Sequence, residues 1–167
     1  DCMGYLSVLL AAASLDSLCA HHVCAEASTF EFLMPQEELV VPYTASLEAY
    51  FVEEGAMMYS QHPDTSPVIS PYYSHIAEGV WFCEVALWSH WVHVGRVDAE
   101  TQCHLIVLDA GSTARNVVRS SSLRQVTSKY CRCYVARIIT SVPPYDWPTD
   151  MQVPCTDFGE IGVSLNL

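Results

Sequence analysis

Gly79 to Gly111, GVWFCEVALWSHWVHVGRVDAETQCHLIVLDAG, constrains the fold more than any other stretch of the chain. Two long apolar runs, Gly79 to Trp88 and Cys103 to Ala110, are rich in the β-branched and aromatic residues that suit a pleated, half-buried surface. Neither contains Pro or an interior Gly. The intervening Ser89 to Gln102 begins aromatic and ends polar, with a turn-compatible Gly95. The pattern predicts two strands joined by a substantial excursion. In the first, Val80, Phe82, Glu84, Ala86 and Trp88 alternate with Trp81, Cys83, Val85 and Leu87, so both faces are mostly apolar. A strand of that kind is buried between a core and a second packed surface, such as another subunit.

Further strands are predicted where apolar and polar residues alternate. Thr29 to Leu33 alternates cleanly, and Glu38 to Thr44 reads as a strand whose Pro42 sits at an edge or bulge; Ala49 to Glu54 extends the sheet. Tyr130 to Thr140 also reads as a strand, with Cys131, Cys133, Val135 and Arg137 on one face and Arg132, Tyr134, Ala136 and Ile138 on the other. Gly162 to Leu167 fits a final short strand. Tyr5 to Ala13 fits a strand or a short buried helix, and His21 to Ala27 has no clear period. Gln61 to Pro71, with three prolines, is a surface loop. Ser112 to Lys129 is a Ser-rich connection with a short strand at Asn116 to Arg119. From Val142, four prolines forbid regular structure and imply an extended arm laid over a surface. The expected fold is therefore all-β: an antiparallel β-sandwich of the jelly-roll type over residues 1–141, with long loops and a proline-rich C-terminal arm at 142–167.

Composition narrows the class. Hydrophobic residues make up 51% and charged residues 16% of the 167, which excludes a disordered chain. So apolar a chain without a transmembrane run hides surface against neighbours. Charge is uneven: the net is −12 over residues 1–95, +4 over 96–137, which hold all seven basic residues, and −4 over 138–167. Such asymmetry points to a basic face on an acidic object, or to a basic segment paired with its acidic neighbours inside the fold. Met3 to Ala20 lacks the positive start of a secretory signal and is interrupted by Asp16. A chain beginning at Asp1 reads as a processed product or a piece of something longer. The eight cysteines and the lack of an Asn-x-Ser/Thr sequon fit mostly free thiols better than a disulfide framework.

The candidate chemistry is sparse. His21, His22 and Cys24 cluster, His90 and His93 lie three apart, and Cys131 and Cys133 share a strand face, but none has zinc-site spacing. Buried thiols and hydrogen-bonded histidines are the reading, with no metal and no cofactor. There is no Gly-x-Ser-x-Gly elbow and no glycine-rich phosphate loop, so the chain reads as non-enzymatic. Arg115, Arg119, Arg124 and Lys129 fall in a Ser-rich context that suits contact with RNA phosphates or a neighbour, or a plain solvated face. Trp88, Trp91, Tyr145 and Trp147 are core in a monomer and interface anchors in an assembly.

Glu37 to Ser46, EELVVPYTAS, resembles the strand ending in a valine-proline-aromatic turn found in capsid proteins of the picornavirus-like group. Gly79 then opens a long apolar strand, and LIVLDAG at Leu105 to Gly111 is similar to that family's penultimate strand and its small-residue-glycine turn. His21, His22 and Val23 lie where such proteins lead into the first of these strands, so the resemblance covers about residues 21–112. Ser112-Thr113-Ala114 depart from it, standing where the family has acidic and aromatic residues. The resemblance implies a jelly-roll capsid subunit that self-assembles into the shell of a small icosahedral RNA virus. Its partners would be other capsid subunits and genomic RNA, with no membrane span, in the virion and in the host cytoplasm during assembly. The competing expectation is a secreted, disulfide-bonded β-sandwich that binds another protein.

Overall fold

The computed structural model describes residues 16–142 and 146–156. Helix α1 (Ser17–Glu26) starts where the Asp16 carboxylate accepts from the Cys19 amide at 3.0 Å, so one unpaired N–H of the first turn is satisfied. Ten short strands follow: β1 (Ser28–Leu33), β2 (Glu38–Val40), β3 (Ala45–Ser46), β4 (Glu48–Glu54), β5 (Met57–Gln61), β6 (Tyr72–Ile76), β7 (Trp81–Phe82), β8 (Trp91–Val92), β9 (Arg96–Ala99) and β10 (Cys103–Asp109). A single-turn helix α2 (Val85–Trp88) lies between β7 and β8, and α3 (Ala110–Arg119) and α4 (Ser121–Thr140) follow β10.

Two four-stranded antiparallel sheets, ordered β1-β10-β4-β7 and β2-β9-β5-β6, hold the main core between them, and β3 pairs with β8 alongside. Paired residues share a face. Leu105 sits opposite Val52 and turns inward with it, meeting Val40, Met57, Ile76 and Val97 of the second sheet. Fully burying such a side chain is worth about 1.5–3 kcal/mol, and this layer supplies most of the stabilisation. Gly55 joins β4 to β5 at φ +102°, and a Cβ there would come within 2.4 Å of the Gln102 carbonyl oxygen. The opposite face of the first sheet is covered at one end, where Ala49 and Leu108 pack under α1 and α3, whereas Phe30 and Phe32 of β1 project into solvent.

Helices replace several predicted strands, so the chain is not all-β. Gly79 to Trp88 is not one strand: the chain turns at Cys83, which takes a left-handed φ of +56°, and Glu84 to Trp88 coils so that the Trp88 indole N–H reaches the Glu84 carboxylate at 2.9 Å. The strand after Glu38 stops at Val40, and Tyr43 adopts φ +67° in a turn. Ser112 to Thr140, read as a connection and a strand, forms two helices. Asp109 caps α3 by accepting from the Ser112 amide at 2.6 Å, and Ser120 caps α4. The buried residues of α4 are Leu123, Thr127, Tyr130 and Tyr134, spaced by four, three and four, which is a helical stripe. The Tyr5–Ala13 and Gly162–Leu167 segments lie outside the described residues.

Candidate functional site

The densest polar cluster in the interior gathers around Asp150, whose side chain has no solvent exposure. One carboxylate oxygen, Oδ1, accepts from the Trp91 indole Nε1 at 2.9 Å and lies 2.8 Å from His93 Nδ1. The other, Oδ2, accepts from the Tyr59 hydroxyl at 3.0 Å and from the backbone amides of Val94 at 3.0 Å and Gly95 at 2.8 Å. With the His93 ring in the tautomer that donates from Nδ1, five donors saturate the carboxylate, which has about four lone-pair positions. Two successive backbone N–H groups aimed at one oxygen make an anion-binding nest.

The barrel itself builds this cradle. His93 is tied to the β3 side through its amide, donating to the Thr44 carbonyl at 2.9 Å, and through its carbonyl, accepting from Tyr43 at 2.9 Å. Trp91 is paired with Ser46, and Tyr59 lies in the middle of the second sheet, between β9 and β6. Gly95 is required by close approach: a Cβ there would stand 2.3 Å from the Tyr59 ring. Burial, and after it the Asp150 charge, push the Tyr59 phenol above its usual range, so it remains a donor.

Asp150 arrives on an irregular segment, residues 146–156, pinned at two further points. The Cys83 amide donates to the Asp150 carbonyl at 2.7 Å, and the Tyr130 hydroxyl of α4 donates to the Thr156 carbonyl at 3.2 Å. Trp88 of α2 meets Tyr130 edge-on and Tyr134 at a tilt, with centroids 5.0 and 6.4 Å apart, so α2, α4 and the segment form one packed unit that also buries Val153. Beside it Glu84 is buried, and burial pushes its carboxyl up to about 7 despite the Trp88 hydrogen bond that lowers it. The cavity left between Glu84, Tyr134 and residues 149–153 measures about 10 Å³, barely enough for one water.

Cys83, His93 and Asp150 offer ligand atoms within 4.8 Å of one another. In the geometry described they form a hydrogen-bonded group. A tetrahedral zinc with bonds near 2.0–2.1 Å spreads its ligands to about 3.4 Å, whereas His93 Nδ1 and Asp150 Oδ1 stand at 2.8 Å. The Cys83 thiol is moreover pushed well above its usual range by burial and then by Asp150, so it holds its proton.

The structure scatters the residues singled out from sequence. Arg115 and Arg119 lie on α3, where Arg115 donates to the Ser112 hydroxyl at 2.7 Å and Arg119 reaches Glu26 at 3.4 Å. Arg124 and Lys129 are exposed on α4. Trp88 is buried, Trp91 is half-buried, Trp147 is 39% exposed, and Tyr145 lies outside the described residues. Cys131 and Cys133 sit two apart on α4, on different sides of the helix. Asp150, Tyr59 and Glu84 were missed as a group. His93 was weighed only beside His90, a residue it does not join.

No family model matches the chain, and no curated protein matches it. Solved structures do. The N-terminal domain of a transcriptional regulator from Streptomyces coelicolor superposes with a TM-score of 0.60 at 17% identity, over 84% of this chain and 96% of that one. The sensor domain of the transcriptional regulator DNR from Pseudomonas aeruginosa gives 0.57 at 12% identity, over 83% and 93%. The regulatory domain of Toxoplasma gondii PKA, solved with cAMP, gives 0.54 at 22% identity, over 78% and 48%. The likeness is one of fold: a β-roll flanked by helices, as in cyclic nucleotide-binding domains.

This fold overturns the resemblance to picornavirus-like capsid proteins. With it go the icosahedral shell subunit, the capsid and genomic-RNA partners, and the location in the virion and host cytoplasm. EELVVPYTAS and LIVLDAG are short antiparallel-strand patterns common to any two-sheet β structure, and after Gly111 the chain turns into helix. The secreted, disulfide-bonded alternative finds no support either, since the seven described cysteines are free thiols. No helix among the described residues is long and apolar enough to cross a membrane.

Proposed function

We propose that this chain is a regulatory module of the sensor type, in which the state of the oxyanion cradle at residues 91–95 sets the position of α4. One observation carries the reading: an unbroken path of contacts runs from cradle to helix. Asp150 joins Trp91 and His93 to the Cys83 amide, Cys83 and Glu84 open α2, and Trp88 of α2 packs edge-on and tilted against Tyr130 and Tyr134 of α4. A change of occupant at the cradle displaces α2, and the aromatic contact passes the displacement to a 20-residue helix about 30 Å long. The fold supports the reading, since similar structures carry regulatory or sensor roles in their names.

Cyclic nucleotides are the first external ligands to try, because a similar structure was solved with one. Two features weigh against tight phosphate binding in the state described. Among the described residues no ion pair joins an Arg or Lys to the cradle, and the cavity on the Glu84 side of Asp150 is about 10 Å³, whereas ligand pockets run to roughly 300–1,000 Å³.

The test perturbs the cradle and observes α4. Trp91→Phe and His93→Gln are compared with the unaltered chain by amide hydrogen exchange. The expected result is faster exchange at residues 130–140 with the amides of β5 and β10 unchanged. Unchanged protection in α4 would end the regulatory reading.

A further inference from the structure

We infer that residues 146–156 are a ligand held in cis: the Asp150 carboxylate is the occupant of an oxyanion-binding site, and a free carboxylate or phosphate enters that site only by displacing it. The inference rests on the regulatory reading above and names the site's chemistry.

The site and its occupant differ in how they are held. Tyr59 and Trp91 lie on paired strands, His93 is bonded to Tyr43 and Thr44, and the Val94 carbonyl is held by Thr65, contacts in which the segment takes no part, whereas the Val94 and Gly95 amides bond the Asp150 carboxylate itself. The three side-chain donors are therefore aimed at one point by contacts independent of Asp150, and the two amides lie between His93 and Arg96, which are fixed by their own bonds, so the site has the preorganisation that anion binding requires. The segment has no strand pairing. Apart from the Asp150 carboxylate, its hydrogen bonds to the barrel and α4 among the described residues are those of the Asp150 and Thr156 carbonyls, and the others are local: Thr149 with Gln152 and Met151, and the Thr156 hydroxyl with the Val153 carbonyl. Beyond these bonds it is held by the packing of Met151 and Val153, so it is the half that displacement would release.

The donor set also states what it selects. Donors converge on two oxygens, three on one and two on the other, a pattern that a carboxylate or phosphate satisfies and that a neutral amide, with a single acceptor oxygen, leaves incomplete. A buried donor without an acceptor is costly, so an emptied site draws in another oxyanion. A tethered group competes at an effective concentration on the order of millimolar, which weakens the apparent affinity for a diffusible anion by the fraction of time the site is free.

The test is chemical rescue in the full 167-residue chain. Asp150→Ala empties the site. Sodium formate, sodium acetate, inorganic phosphate and cyclic AMP are then added separately against sodium chloride at matched ionic strength, with thermal melting and tryptophan emission as readouts. The variant should melt below the unaltered chain and recover saturably with formate or acetate, at concentrations about tenfold or more below those that affect the unaltered chain. Recovery with phosphate or cyclic AMP supports the inference with a phosphate as the external ligand; recovery with formate and acetate alone supports it with a carboxylate.

Melting that follows ionic strength alone overturns it. If Asp150→Ala does not fold, Asp150→Asn retains the segment's size. In that variant formate should strip protection from the Cys83 amide, and a Cys83 amide protected at every formate concentration overturns the inference. Exchange in α4 that answers Trp91→Phe and His93→Gln with no anion rescue ends the tethered-ligand inference alone. An α4 that answers neither ends the regulatory reading beneath it.

Discussion

Replacing Glu84 by Gln isolates the energetic consequence of placing a carboxyl between α2 and the Asp150 segment. Burial raises this group from 4.5 to about 7 in the fold. The folded state therefore holds the proton more tightly than the unfolded chain does. Its contribution is fully present below pH 4.5 and is lost as pH rises through 7. Each tenfold difference in proton affinity corresponds to about 1.4 kcal/mol, so the ionised carboxylate costs the fold about 3 kcal/mol at pH 8 and above. Gln has nearly the same volume and its amide oxygen still accepts from the Trp88 indole, so Glu84→Gln removes the titration and spares the packing. Urea denaturation followed by tryptophan emission from pH 4.5 to 8.5 gives the two stabilities side by side. The curves should coincide at the acid end and separate progressively, with the Gln variant about 3 kcal/mol the more stable at pH 8.5. Parallel curves across the range would refute the placement of a buried, proton-holding carboxyl at this position.

Gly95→Ala drives a methyl to within 2.3 Å of the Tyr59 ring, and because that ring is fully buried the overpacking should cost about 1–3 kcal/mol in denaturant midpoint. Tyr59→Phe removes one of five donors to Asp150 while leaving the others, and a loss of about 1–2 kcal/mol by thermal melting is expected. Asp109→Ala strips the cap of α3 and should lower stability by about 1 kcal/mol near neutral pH. Asp109 is held below its usual range by the Ser112 hydrogen bonds, so its contribution is present above pH 3.8 and fades as pH falls further; the loss in the Ala variant should shrink along that acid limb. Phe30→Ser with Phe32→Ser should leave the melting temperature nearly unchanged and raise the concentration at which light scattering first reports association.

Strand positions where one face meets a core were legible from alternation alone. TFEFL and AYFVEE lie within or across β1 and β4, and the run from Cys103 became β10. Alternation misled where a run of bulky residues stands at a bend. VWFCEVALW has no residue that announces a turn, yet Cys83 adopts a left-handed backbone and the tertiary setting of Glu84 and Trp88 completes a helical turn. Tyr130 to Thr140 was split from its helix because the stripe Leu123, Thr127, Tyr130, Tyr134 crosses the boundary drawn at Lys129; read across it, the four residues have helical spacing. The cradle was less legible. Its side-chain members lie up to 91 positions apart, its backbone donors carry no sequence signature, and Asp150 sits in a proline-rich stretch that predicts only an irregular path. Gly95 was the available signal, and it was read as a turn residue although its role is to admit an aromatic ring.

The order of the chain gives the cradle a history. Asp150 follows Gly95 by 55 residues, and at about 5–20 residues per second a ribosome takes on the order of 3–11 s to produce the second after the first. During that interval the strands that carry all five donors have been made and their acceptor has not. Once β9 and β10 have also been made, a barrel that forms before Asp150 is added leaves the donors to water or a cellular anion. Closure by Asp150 is on this order of events an exchange reaction, and its rate depends on what the solution has already put in that place.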